Sequence, residues 1–373
     1  MKINTLLLLL ISFILSSHTY AFHFEFLFIK DPVHQEMAEK ALRCVAENPQ
    51  INEMNCENFN VKGTSKRIDF DINEMTELTV DDIQEAITWA DDPVRELRKR
   101  KFVRALLWTF RLLGDECEGK RGGLKDGLRC STHYGDFQFM HSMENEDGIS
   151  AEETQKAILD WIEYSYKVAI NKQDSIGFYN DNDYCDFFSV KNQTKFQKAM
   201  RPTNSAGISE FPCKVIDDTP WELATPFAFS CTLGSVNCTE YSNGNDFLVR
   251  KAALGAVLHA IQDSYAKGHA SRGNDVADAI NTYECSPIRQ FQLYTKQDHD
   301  KHGDADKTPT PSNDCLNAEN DIHGPVTASA EVIRLFSQGA ESKTVIEYLK
   351  EHVYKLADTT YPSGTTNLFI KRI

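Results

Sequence analysis

The segment from His259 to His269 constrains this chain more than any other part of its sequence. It reads HAIQDSYAKGH, which places His259 and Asp263 four residues apart. On an α-helix these two side chains share one face and can bind the same ion. His269 follows six residues later, just beyond Gly268, where we expect the helix to end. Two imidazoles and a carboxylate suit zinc, although the triplet alone is more typical of a buried helix whose His and Asp pair with each other.

The first 21 residues have the pattern of a secretory signal peptide. Lys2 supplies the positive charge, residues 6–15 form an apolar run, and Thr19-Tyr20-Ala21 is an acceptable cleavage site. The run is too short to span a bilayer, and no later stretch is long and apolar enough to do so. The alternative to a cleaved signal peptide is a segment that is retained as an anchor. We predict removal of residues 1–21, a secreted or periplasmic protein without a transmembrane segment, and a mature chain that begins at Phe22.

All 10 cysteines follow the predicted cleavage site. An even number of cysteines in an exported chain predicts disulfides, and none of them has the C-x-x-C spacing of a thiolate zinc site. Pairing between sequence neighbours would join 44–56, 117–130, 185–213, 231–238 and 285–315. The sequence does not prove this connectivity.

The periodicity of apolar residues predicts a compact, all-α domain spanning residues 22–373. Helices are expected at 32–47, 79–91, 93–113, 151–171, 246–267, 325–339 and 342–357, with Ser150 as the cap of the fourth. Strand-like alternation is scarce. Residues 172–245 have little helical period and four cysteines, which predicts an irregular, disulfide-stapled insertion; residues 295–323 are also expected to be irregular.

Further histidines and aspartates occur in short motifs before and after the predicted central helix. His34 lies on the first helix, Asp91 ends a Trp-Ala-Asp motif, and His141 ends a Phe-Met-His motif. His302 and Asp306 are again four residues apart. This order resembles the three-zinc phosphoesterases, which comprise zinc-dependent phospholipase C and related single-strand-specific nucleases, and it is most similar to bacterial-type phospholipase C. The resemblance covers roughly residues 22–306.

The resemblance implies an all-α fold that cleaves phosphodiester bonds with about three zinc ions. It implies a first zinc at Asp91, His141, His259 and Asp263, and a second at His269, His302 and Asp306. The third would be bound by His34, by Asp263 as a bridge, and by the amine and carbonyl of Phe22. Typical members have Trp at this first mature position, and the gap between His269 and His302 is longer here than in the family.

Several of these positions have competitors or ordinary structural roles. Asp92 competes with Asp91, but it points away from the apolar face of its helix and suits a helix cap. His133 competes with His141, which is also compatible with a core histidine. His299 and His323 lack a carboxylate four residues later, which favours His302, although a hydrated loop explains His302 and Asp306 as well.

The net charge of −15 bears on the substrate. An acidic surface repels nucleic acid at long range, whereas bound zinc would make the site itself positive. We therefore predict first a monomeric phospholipase C that acts on phospholipid at a membrane surface, degrades lipid to diacylglycerol and a phosphorylated head group, and forms no stable nucleic-acid complex. Asp91 would orient or deprotonate the attacking water. The alternatives are a single-strand-specific nuclease and a non-catalytic secreted protein stabilised by zinc.

Overall fold

A computed structural model describes residues 33–47, 55–62, 78–91, 93, 132, 135–170, 184–191, 193, 223–231, 238–240, 246–273, 280–307, 310–317 and 319–370. The predicted signal peptide, Phe22, and the predicted helix 93–113 after its first residue lie outside this part of the chain.

Helices predominate among the described residues, as the sequence predicts. They are α1 (Val33–Glu47), α2 (Val80–Ile87), α3 (Ala151–Ile170), α4 (Tyr184–Val190), α5 (Thr225–Ala228), α6 (Asp246–Asp263), α7 (His299–Ala305), α8 (Pro325–Ser337) and α9 (Ser342–His352). Short 3₁₀ turns lie at Cys56–Asn58, Gln138–His141 and Tyr294–Lys296. No helix in the described ranges is long and apolar enough to span a membrane.

Helix starts follow local sequence signals. Ser150 caps α3, because its Oγ accepts from the backbone N–H of Glu153 at 3.2 Å while the Glu153 carboxylate accepts from the Ser150 N–H at 3.3 Å. Thr79 and Asp82 form the same reciprocal box at the start of α2. Such boxes satisfy backbone donors that a helix N-terminus leaves without partners.

Two predicted helices end earlier than expected. The predicted 79–91 helix stops at Ile87, and Asp91 lies in the turns that follow. The predicted 246–267 helix stops at Asp263, after which the chain tightens into three-residue turns, such as the bond from the Ala266 N–H to the Asp263 carbonyl at 3.0 Å. The turns that follow these two helices carry the predicted ligands Asp91 and His269.

The central helix is α6, which packs against α3, α2, α8 and α1. All its residues from Val249 to Asp263 apart from Gly255 are at most 7 % exposed, so the helix is buried on every side. A helix in this position is apolar around its whole circumference, and polar side chains on it must find partners inside the protein.

Strands are few and short, but they qualify the all-α prediction. Antiparallel pairs join β1 (Phe229–Cys231) to β2 (Cys238–Glu240) and β3 (Ala270–Arg272) to β5 (Ile288–Phe291). A parallel pair joins β4 (Thr282–Tyr283) to β6 (Thr310–Pro311). The two stretches expected to be irregular therefore contain regular elements: α4, α5, β1 and β2 lie within 172–245, and α7 and β6 lie within 295–323.

Two of the expected disulfides are confirmed, Cys44–Cys56 and Cys285–Cys315. Cys185 is also disulfide-bonded, and the β1–β2 register sets Cys231 opposite Cys238. The predicted 117–130 pair lies outside the described residues. The two confirmed bridges lie close together, because the Asn55 side-chain amide donates to the Cys315 carbonyl at 2.7 Å.

Candidate metal centre

Five stretches of the chain bring histidines and aspartates together around Asp263. His259 and Asp263 come from α6 itself, His34 from the first turn of α1, and His302 from α7. The turns supply the rest, so that Asp91 follows α2, His141 ends a 3₁₀ turn, His269 follows α6, and Asp306 follows α7. Each of these eight residues is at most 2 % exposed. Because burial of a charged group without a partner is costly, such a cluster requires compensating charge within it.

Asp263 lies at the centre of the cluster. Its Oδ1 is 3.3 Å from the Nε2 of His34. Its Oδ2 is 2.8 Å from the Nδ1 of His141, 3.1 Å from the Nε2 of His259 and 3.6 Å from the Nδ1 of His269. Two carboxylate oxygens that face different histidines are the arrangement a bridging ligand requires.

The ligand atoms form three groups, and within each group they lie within 4.8 Å of one another. One group is Asp91, His141 and His259, and a second is His34, His259 and Asp263. The third is His269, His302 and Asp306. The structure thus brings together every sequence-predicted ligand that it describes. His259 belongs to two groups, although the sequence suggested only one.

In several of the imidazoles, the Nδ1 atom faces away from the cluster and has a hydrogen-bond partner. These bonds orient the rings and leave Nε2 directed toward the cluster. The Nδ1 of His259 lies 2.9 Å from the Ile87 carbonyl, and the Nδ1 of His269 lies 2.6 Å from the His141 carbonyl. A carbonyl only accepts, so both Nδ1 atoms carry the proton and each neutral ring keeps its Nε2 lone pair for the cluster. His34 and His302 direct Nδ1 to the side-chain oxygens of Gln262 at 2.8 Å and Gln297 at 2.7 Å.

Burial and neighbouring charges shift the pKa values of three residues at the centre of the cluster. Burial lowers the pKa of His259, but the carboxylates of Asp263 and Asp91 outweigh burial and raise that pKa to about 9. Burial raises the pKa of the Asp263 carboxyl, yet the surrounding imidazoles, first His259 and then His269, hold it well below its usual range. Burial lowers the pKa of His269, which Asp263 only partly offsets. The centre is therefore built to keep Asp263 ionised.

The residues present fit metal ions. Ligands in a tetrahedral shell about 2.0–2.2 Å from a zinc ion lie about 3.3–3.6 Å apart. Nε2 of His302 is 3.2 Å from Oδ2 of Asp306, and Nε2 of His259 is 3.6 Å from Oδ1 of Asp91. In addition, Nε2 of His269 and Oδ1 of Asp263 are buried and have no hydrogen-bond partner among the described residues. Several buried His/Asp groups can thus hold a metal ion.

Among the competing residues, the structure describes the side chain of His323. It lies at a different place, where its Nδ1 is 2.8 Å from the Tyr348 hydroxyl and its ring stacks on that of His352 at 4.8 Å. The side chains of Asp92, His133 and His299, like Phe22, lie outside the described residues, so the choice against the first three and the role of Phe22 stay predictions.

No pattern in the sequence predicted the residues that orient the histidines. Gln262 precedes Asp263 in the helix, and its position at a polar boundary is the only available signal. Gln297 and the Ile87 carbonyl contact their histidines through tertiary packing alone.

No protein-family model, curated protein or solved structure matches this chain. The functional argument therefore depends on the site itself.

Proposed function

We propose that this protein is a secreted or periplasmic zinc-dependent phosphodiesterase, in the first instance a phospholipase C that acts as a monomer on phospholipid at a membrane surface. The observation that carries the proposal is the convergence of eight buried His and Asp residues into three groups around Asp263. A single structural ion would need one such group, whereas joined groups suit a multinuclear centre.

Zinc fits this donor set better than harder cations. Imidazole nitrogens outnumber carboxylates, and neutral imidazole favours zinc and its neighbours over magnesium or calcium. Asp91, His141 and His259 would hold one ion together with Asp263, and His269, His302 and Asp306 would hold another. His34 and Asp263, with the amine and carbonyl of Phe22, would hold the third.

The charge of such a centre selects anionic substrates. Three carboxylates do not neutralise three divalent cations, so the occupied site would be positive inside a chain whose formal net charge is −15. A phosphodiester anion would be drawn to the site even though the protein as a whole is acidic. A neutral ester or peptide gains nothing from this field.

Bound zinc ions supply Lewis acidity toward the phosphate oxygens and toward water. The protein side chains provide the rest of the chemistry. Asp91, whose Oδ1 lies 3.6 Å from Nε2 of His259, would orient water and accept its proton. His259, His269 and His302 donate Nδ1–H outward to carbonyl and amide oxygens and thereby hold their Nε2 atoms in fixed positions, whereas His141 directs its Nδ1 to Asp263.

A substrate panel on zinc-replete protein tests the proposal. We expect phosphatidylcholine or a soluble phosphocholine ester to be hydrolysed faster than single-stranded DNA, with diacylglycerol and a phosphorylated head group as the lipid products. The Asp306→Asn variant should lose activity. The matched control is Asp304→Asn, which changes a half-exposed residue of α7 that pairs with Lys307 at 2.6 Å.

Each other outcome assigns a different function. Preferential release of nucleotides from DNA would make the protein a single-strand-specific nuclease. A full complement of zinc with no hydrolysis of any phosphodiester would make it a binding protein that uses zinc structurally.

A further inference from the structure

Gln297 joins two segments that carry ligands of the same ion group. It follows the 3₁₀ turn Tyr294–Lys296 and is 3 % exposed. Its side-chain Nε2 donates to the Gly268 carbonyl at 2.5 Å, and its Oε1 lies 2.7 Å from the Nδ1 of His302. Gly268 directly precedes His269, so one amide spans the turn of one ligand and the helix of another.

These contacts determine which nitrogen of His302 carries the proton. The Gly268 carbonyl can only accept, so the amide must direct its NH₂ group there and its oxygen toward His302. The Nδ1 of His302 must then donate, which leaves the Nε2 lone pair facing Asp306 Oδ2 at 3.2 Å. Gln262 imposes less on His34, because its own partner, the Ser329 hydroxyl at 3.4 Å, can donate as well as accept.

The space around His302 is closely filled. A Cβ atom on Gly268 would lie 2.6 Å from the Nδ1 of His302. The ring of His269 stacks on that of His302 at 5.0 Å, and the ring of Tyr294 meets it edge-on at 4.6 Å. Packing thus limits where the ring can lie, while the Gln297 amide sets which tautomer it adopts.

We propose that Gln297 is a positioning residue for the ion held by His269, His302 and Asp306, and that it controls retention of this ion separately from the others. The inference rests on the metal centre of the proposed function. Partners that orient a histidine ligand typically change metal affinity 10–100-fold when they are removed. Because Gln297 contacts, in the described part of the chain, the ligands of this ion group and of no other, the change should affect one ion.

The experiment is a stepwise zinc titration of chelator-stripped protein against a chromophoric zinc chelator. Gln297→Met, which keeps side-chain volume and removes both hydrogen bonds, should weaken one ion about 10- to 100-fold and leave the others unchanged. Gln297→Glu should retain that ion, because a carboxylate still accepts from His302 Nδ1, although it repels the Gly268 carbonyl. A purely structural role would make both variants equally poor.

Gln155→Met is the matched control. Gln155 is also buried, at 6 % exposure, and donates to the Tyr354 carbonyl at 2.6 Å, and it has no hydrogen bond to the cluster ligands that the structure describes. Its loss should lower the melting temperature without changing any zinc affinity. If Gln297→Met does not fold, Gln297→Asn, which withdraws the amide by one methylene, takes its place and should show the same single-ion loss.

Three results would overturn the inference: wild-type affinities in Gln297→Met, loss of all ions together, or equal weakening in Gln297→Glu. The titration requires no turnover, so it is decided separately from the proposed function. A wild-type protein that binds its zinc ions but hydrolyses no phosphodiester would refute the function, and the comparison of Gln297→Met with Gln297→Glu would still decide the role of Gln297.

Discussion

Gly255 of α6 lies directly against the carbonyl of Ala86 in α2, with no room for a Cβ atom between them. One turn further along α6, the His259 Nδ1 reaches the Ile87 carbonyl at 2.9 Å. The close contact of the two helices therefore sets the distance between His259 and Asp91, which follows α2.

The Gly255→Ala variant should separate these helices. The added methyl group overlaps Ala86, so we expect a loss of about 1–3 kcal/mol in the free energy of unfolding. We also expect loss of the ion that depends on Asp91. Denaturant unfolding and zinc analysis measure the two effects. Gly364→Ala is the control, because its Cβ would meet the side chains of Gln290 at 3.1 Å and Asp147 at 3.5 Å rather than a helix backbone. Unchanged zinc content in a destabilised Gly255→Ala would contradict the proposed link.

The Asp263→Asn variant should be the most damaging single change in the cluster. Each carboxylate oxygen faces a different set of histidines, and an amide supplies only one acceptor oxygen. Since removal of an outer partner alone costs 10–100-fold, loss of this ligand should reduce zinc affinity or activity by more than about 100-fold. Zinc content and phosphodiester hydrolysis measure this, with the half-exposed Asp304 changed to Asn as the control. Retention of all ions would exclude a bridging role for Asp263.

Zinc binding should strengthen as pH rises toward about 9. In chelated protein His259 has a pKa raised to about 9, so below that pH an ion must displace its proton. The apparent affinity for the ion at His259 should fall about tenfold for each unit below pH 9, with protons released on binding. Calorimetry in buffers of different ionisation enthalpy measures this release. Proton-independent binding between pH 7 and 9 would show that His259 is already neutral.

The same raised pKa of His259 predicts that the free energy of unfolding of the zinc-free protein falls as pH rises, which is opposite to the trend in zinc affinity. The charged His259 stabilises the fold beside Asp263 fully below the unfolded-state pKa near 6.5. This stabilisation is lost as pH rises through about 9. Denaturant unfolding across that range, with and without zinc, should therefore give slopes of opposite sign.

His323 should make the fold sensitive to mild acid independently of the metal centre. Burial, followed by the nearby His352, lowers the pKa of His323 to about 4. Above about pH 4 the folded protein keeps this ring neutral, whereas the unfolded chain binds a proton below about pH 6.5. The free energy of unfolding therefore decreases as pH falls from about 6.5 to about 4. His323→Asn, which preserves an acceptor or donor for the Tyr348 hydroxyl, should show a shallower loss in unfolding experiments at pH 4–7. Identical pH profiles would contradict the assignment.

An N-terminal extension tests the predicted role of Phe22. Two residues added before Phe22 in the mature protein should displace the free amine, whose reference pKa is near ~8, and deplete the ion at His34. An extension of equal length after Ile373 is the control. Full zinc content in the extended protein, or a natural N-terminus several residues from Phe22, would refute this role.

Local spacing made part of the site predictable, whereas His34, Asp91 and His141 were expected from the family resemblance. His259 and Asp263 share a helix face because they are four residues apart, and the same rule brought out His302 and Asp306. Cys44–Cys56 and Cys285–Cys315 were accessible as sequence neighbours. Helices with long apolar periods, such as α1 and α3, appear within a residue or two of their expected bounds.

The remaining features depend on contacts distant in the sequence. The helix α7 reads HDKHGDA, which has no apolar period, so its helical state follows from packing around His302 rather than from propensity. The strands β3 and β5 are only three and four residues long, which is too short for an alternation of apolar and polar residues to predict them. Their antiparallel pairing depends on tertiary contacts. Gln297 has no local feature that distinguishes it from a surface glutamine.

The meeting of His34 with Asp263 has a consequence for the unfolded chain. These residues are more than 200 positions apart, and His34 Nε2 lies 3.3 Å from Asp263 Oδ1. An ion bound to both would cross-link the chain as a disulfide does, and loops of this length restrict the unfolded ensemble by about 5 kcal/mol in chain-entropy models. Such a cross-link differs from the two cystines in one respect: a chelator opens it and added metal restores it, without any change in redox conditions.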